Sequence, residues 1–126
     1  MSWNNDPEVK NAKIERVLLG FGTDHGFLDH MIFFDYGGAG QGWGGYVLGY
    51  QDGRKGMDAL AGDTIIAILN VVGVEDWANL SGKSCRAYAM PSKVYGIGHF
   101  LEDKWVWLND GVHVGTLDEL KLDCGF

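Results

Sequence analysis

A chain of 126 residues is long enough for one domain with a single modest core. Its 46% hydrophobic content excludes wholesale disorder, and no apolar run nears the roughly 18 residues of a membrane span. The net charge of −7 excludes general binding to DNA or RNA, whose phosphates repel such a chain.

The opening MSWNNDPEVK lacks a basic segment followed by an apolar run, so no secretory signal is expected. Residues 1–12 are polar, carry Pro7, and read as a loose arm on a single domain spanning 1–126. Lys13 to Leu19 (KIERVLL) reads as a strand with Ile14, Arg16 and Leu18 on one face. Gly20, Gly22, Thr23, Asp24 and Gly26 supply turn chemistry, with Asp24–His25 as part of it. His30 to Tyr36 (HMIFFDY) is rich in aromatic and branched residues and predicts a second strand. After YGGAGQGWGGY (Tyr36 to Tyr46), the segment YVLGY at 46–50 predicts a third, with a turn at Asp52–Gly53.

Met57, Ala61, Ile65, Ile68, Leu69 and Val72 recur at three- and four-residue spacing and predict the main helix, about 57–72. Asp58 and Asp63 suit its positive end, and Gly73 its termination. A helical turn over Glu75 to Leu80 follows, then strands at Ser84 to Met90 and Lys93 to Leu101. Lys104 to Leu108 (KWVWL) is either a short strand or a capping segment, and DELKLDCGF one helical turn. The fold class is therefore α+β, a mostly antiparallel sheet of about five to six strands packed against one main helix.

The glycine stretch fits GxGxxG at Gly40, Gly42 and Gly45, but a strand follows it where a dinucleotide fingerprint needs a helix. Two explanations stay open. Either the glycines build a wide hairpin with Trp43 flat on the neighbouring backbone, or bare N–H groups line a concavity for an anionic or planar ligand. Between Ala78 and Leu101 there is no acid, while Lys83, Arg86, Lys93 and His99 lie there. In so acidic a chain that window could receive an anion, or its bases could pair with acids from other segments. Histidines 25, 30, 99 and 113 show no metal-ligand spacing, so no metal is expected. Cys85 and Cys124 read as two reduced thiols of a cytosolic protein, and Cys85 does not share a strand face with Arg86. No nucleophile or acid–base pair stands out, so the protein is not expected to be an enzyme or to need a cofactor.

The segments IERVLLGFGTDHGFLDHMIFFDYGGAGQGWGGYVLG, IIAILNVVGVEDWANLSGKSCRAYAM and VYGIGHFLEDKWV, in this order, resemble a family of small phage and prophage proteins similar to the anti-Thoeris sponges. The resemblance covers about residues 13–107, with the glycine–aromatic stretch and the DHG turn as its most specific parts. It implies a protein of the host bacterial cytoplasm that sequesters a cyclic ADP-ribose type signal without cleaving it, blocking TIR-based defence. It also implies a homodimer or higher homo-oligomer with pockets between subunits. The implied ligand contacts are Gln41, Gly42 and Trp43 of the glycine stretch, Arg54 and Lys55 before the helix, and Arg86, Tyr88, Gly98, His99 and Phe100 after it. Arg54, Lys55, Arg86 and His99 would meet phosphate and ribose; Trp43, Tyr88 and Phe100 would stack or form walls. His99 stands where the family usually has asparagine, and the tail after Trp107 departs from the pattern. The rival expectation, from the charge of −7, is an acidic anti-CRISPR-like inhibitor that binds a host defence protein directly.

Overall fold

The computed structural model describes residues 6–22 and 26–126. Thr23, Asp24 and His25, and with them most of the DHG turn, lie outside the described residues, as do positions 1–5 of the arm. The fold is α+β. Eight strands form one antiparallel sheet: β1 (Glu8–Gly20), β2 (Phe27–Asp35), β3 (Gly40–Gly44), β4 (Gly49–Tyr50), β5 (Ser84–Met90), β6 (Lys93–Gly98), β7 (Trp105–Leu108) and β8 (Val112–Gly115). Their spatial order is β3-β2-β1-β5-β6-β7-β8, with β4 pairing the start of β2. Helix α1 (Ala61–Val72) packs on β6, β7 and β8, and helix α2 (Leu117–Asp123) packs on β7.

Alternation along β5 and β7 explains why both helices are needed. Cys85, Ala87 and Ala89, with Val106 and Leu108, point into the main core beside Ile68, Val71 and Val72 of α1. Tyr88, Trp105 and Trp107 point the other way and are buried with Leu120 of α2. A strand buried on both faces needs apolar residues at every position, and WVWL in β7 has them.

The structure corrects several expectations. The sheet has eight strands rather than five to six. β3 lies within the glycine stretch, where low β-propensity hid it. β8 is four residues of a segment whose flanking glycines mask its alternation. β1 begins at Glu8, because residues 8–13 pair with β5, so the arm does not extend to 12. A bulge between Ile14 and Arg16 turns Ile14 inward while Arg16 and Leu18 face outward, so the three do not share a face. Helix α1 starts at Ala61, leaving Met57 outside it and exposed, and its buried stripe is Thr64, Ala67, Ile68, Val71 and Val72. Asp58, also outside the helix, accepts a 2.6 Å bond from the Val47 N–H. The tail is a two-turn helix, opened by a Thr116–Glu119 capping box.

The glycine stretch forms the β2–β3 hairpin, whose turn closes with Tyr36 N–H on Ala39 O at 2.8 Å. Trp43 does not lie flat on a backbone. It points inward, 1% exposed, against His30, Tyr46 and the core. The sheet then curls, because β3 touches β6 although they stand four places apart in the strand order. In a flat sheet that separation would be about 19 Å. Gln41 bridges the closing seam: its Nε2 donates to Met90 O (2.7 Å) and Pro91 O (3.1 Å), and its Oε1 accepts from the Tyr36 hydroxyl (2.8 Å).

Two glycines of β3 differ in what they tolerate. A Cβ on Gly44, whose φ is +155°, would collide with the His30 carbonyl oxygen, whereas one on Gly42 would crowd the end of the Met31 side chain, Cε at 2.8 Å, and touch the Phe33 ring at an ordinary 3.5 Å. Gly44→Ala is therefore expected to cost about 3 kcal/mol in urea unfolding, and Gly42→Ala less than about 1 kcal/mol.

Candidate functional site

The residues singled out by the sequence fall into four places. Gln41, Gly42 and Trp43 belong to β3, where Gln41 is engaged by the seam and Trp43 by the core. Trp43 is thus no stacking wall for a ligand. Arg54 and Lys55 lie in the loop after β4. Arg54 pairs with Asp52 at 2.9 Å and holds that carboxyl below its usual range, while its guanidinium sits 4.2 Å from the Tyr50 ring centroid. Lys55 is exposed and forms a backbone bridge with Gly49. Tyr88 is buried on the α2 face beside Tyr95 and Phe126, with Lys121 Nζ 5.7 Å from its ring, and burial pushes its phenol up.

Only Arg86, Gly98, His99 and Phe100 come together, at the end of β6 remote from Gln41. Lys93 and Gly98 are five residue steps apart along β6, about 17 Å, so one chain does not join this end to the glycine hairpin in a single pocket. Bare Gly98 lets the Trp105 indole lie against the strand, since a Cβ there would approach the ring to 2.6 Å. Over that indole, at 5.1 Å, sits the Arg86 guanidinium. Arg86, half-buried, has two of its guanidinium nitrogens engaged within the protein. Its Nε donates to His99 O (2.8 Å) and its terminal nitrogen to Glu102 O (2.6 Å), which clamps the loop following β6.

His99 completes the clamp from the inside. Its Nδ1 accepts from the N–H groups of Leu101 (3.1 Å) and Glu102 (3.0 Å), which places the proton of the neutral ring on Nε2. The ring therefore presents a donor, and its Nε2 has no lone pair with which to take a proton from a neighbouring hydroxyl.

This clamped loop forms one wall of a cleft of about 440 Å³ lined by Val72, Gly82, Lys83, Ser84, His99, Phe100 and Leu101. No carboxylate is among the lining residues, and Lys83 forms no ion pair among the described residues. Phe100 and Leu101 are 40% and 81% exposed, large apolar side chains held outward by a hydrogen-bonded loop. Lys83 and Ser84 lie in the acid-free window of the sequence, but the resemblance points past them; Val72 read as helix core and Leu101 as a strand end, with no signal of a site. The arrangement offers donors for an anion or hydroxyl and an apolar wall for a ring.

Elsewhere, Cys85 is buried and its thiol is pushed up to about 12, which makes it a poor nucleophile. His30 is fully buried among Trp43, Tyr46 and Trp77, and burial lowers it from 6.5 to about 4. Neither His30 nitrogen nor Trp43 Nε1 has a hydrogen-bond partner among the described residues; burial pushes the neighbouring Tyr46 phenol up, an effect the indole N–H only partly offsets.

Two outcomes follow from these contacts. Arg86→Ala leaves the His99 carbonyl without its side-chain donor and the Glu102 carbonyl with the Lys104 N–H alone, and is expected to lower stability by about 1–3 kcal/mol, with Arg86→Lys recovering little because an ammonium cannot reproduce the fork. His30 binds a proton more weakly when folded, so its contribution is intact above pH 6.5 and is lost as pH falls toward 4. The gap corresponds to about 3 kcal/mol. Urea unfolding at pH 7 and 4.5 should show a smaller acid loss, by about 2–3 kcal/mol, in His30→Phe than in the wild type. No helix among the described residues is long and apolar enough to cross a membrane. Compared with protein-family models, with curated proteins and with solved structures, the chain matches none.

Proposed function

We propose that the protein captures a small cyclic nucleotide of the cyclic ADP-ribose type and holds it intact, in the host cytoplasm, as an antagonist of TIR-based defence. The observation that carries this reading is the acid-free cleft beside the clamped 99–102 loop in a chain of net charge −7. Lys83 and Ser84 suit a phosphate, Phe100 a base, and the Nε2–H of His99 a hydroxyl or ring nitrogen. Capture rather than turnover accords with the same geometry: His99 is a donor, Ser84 gains no base from it, and Cys85 is buried. The contacts to Trp43 and Arg86 that the resemblance implies are replaced by Phe100 and Lys83, because the former two are engaged in the core and in the loop clamp.

Isothermal titration with cyclic ADP-ribose isomers and cyclic di- and trinucleotides tests the reading. At least one should bind, and Phe100→Ala and Lys83→Ala should each weaken it by about 1–3 kcal/mol while thermal stability stays near that of the wild type. Heating the complex should return the ligand chemically unchanged. If no member of the panel binds, the reading fails and direct inhibition of a defence protein takes its place. Product formed in catalytic excess over protein would make this an enzyme.

A further inference from the structure

Among the described residues, α1 packs mainly on β6, β7 and β8 and joins the inward core of β1, β2 and β3, while α2 packs on β7, so neither helix covers the outward face of β1, β2 and β3. Its β1–β2 part comprises an outermost row of Lys13 and Asp35, set off by the bulge at Glu15, and then three successive cross-strand rows. Leu18 stands opposite Met31 in the middle, Arg16 opposite Phe33 on one side, and Gly20 opposite Asp29 on the other. Beside Met31 and Phe33, β3 contributes only Gly44 and Gly42, so their side chains spread over bare backbone. Leu18, Leu19 and Phe21 are 52%, 42% and 47% exposed, and with Met31 and Asp29 they border a largely apolar cleft of about 400 Å³.

The charges on this face are arranged as complements of themselves. Arg16 lies one row from the Leu18–Met31 pair, its guanidinium 3.9 Å from the Phe33 ring centroid. Asp29 lies one row from the same pair in the opposite direction. It accepts a 2.9 Å bond from Gly45 N–H and lines the apolar cleft. A two-fold axis lying between two such faces, across the strands at the Leu18–Met31 row, sets the Arg16–Phe33 row of each copy over the Gly20–Asp29 row of the other. Gly20 then matters, because space above it is open and leaves room for the incoming Arg16 next to the second copy's Asp29. The same operation brings Leu18 and Met31 against their own symmetry mates, so both apolar rows are covered and both charges are paired twice over.

We propose that this face is a homodimer interface, occupied by a second copy of the chain. It is separate from the Lys83–Phe100 cleft and does not depend on the ligand reading. Sedimentation equilibrium at micromolar to tens-of-micromolar protein should give twice the chain mass for the wild type. Leu18→Lys should return the monomer with an unchanged circular dichroism spectrum, since that side chain is more than half exposed. Arg16→Glu should weaken association at least tenfold by setting like charges together, and raising salt should weaken the wild type but improve Arg16→Glu. Lys83→Ala should leave the mass unchanged. A monomeric wild type overturns the proposal, and so does an oligomer that Leu18→Lys and Arg16→Glu leave intact.

Discussion

The curl of the sheet depends on one side chain. Gln41 receives the Tyr36 hydroxyl on its oxygen and gives its amide hydrogens to the carbonyls of Met90 and Pro91, tying the β2–β3 hairpin to the β5–β6 turn. Strands on opposite sides of β1 are thereby held in contact, and Trp43, Ile32 and Phe34 are enclosed together with Ile14. Because β3 lies so close to β2, its alternate positions on the outer face carry no side chain. The density of glycine in YGGAGQGWGGY is thus explained within the protomer by close approach and a tight hairpin, with Trp43 as the inward anchor.

Beyond β1 the sheet is a layer covered on both sides. The two tryptophans of β7 are buried under α2, and their indole nitrogens donate to Asp103 (3.1 Å) and Asp123 (2.7 Å), so they bring no unsatisfied N–H into that smaller core. Arg86 belongs to this layer as well. Resting over Trp105 and forked onto two carbonyls, it transmits the position of β5 to the loop after β6. His99 holds the same loop through its Nδ1. A short loop fixed at four points can keep Phe100 and Leu101 facing water, where a mobile loop would fold them away. The Lys104 ammonium, at 3.0 Å from the Asn70 carbonyl, ties the far side of the loop to the last turn of α1.

Charge separates the two surfaces of interest. The cleft by the 99–102 loop has donors and no lining acid, whereas on the face of β1 and β2 a cation, Arg16, and an acid, Asp29, flank the apolar Leu18–Met31 row. An anion is favoured at the first, and an identical surface at the second. His30 is apart from both, a neutral imidazole in an aromatic enclosure.

Much of the architecture was legible in the amino-acid sequence. A branched and aromatic run marked β2, periodic apolar spacing marked α1, and Gly73 marked its end, because these signals arise from neighbours in the chain and need no partner. The acid-free window likewise pointed to the segment that lines the cleft. What tertiary structure alone decided was which side chains remain available. Trp43 and Tyr88 read as ligand walls until packing buried them on opposite faces of the sheet, and Arg86 read as a phosphate contact until two distant carbonyls engaged it. The bulge at Glu15 reversed the facing of half a strand, and the bare glycines of β3 became a strand only because β2 lay beside them. Each of these outcomes turns on contacts between residues far apart in sequence, which local composition and spacing do not encode.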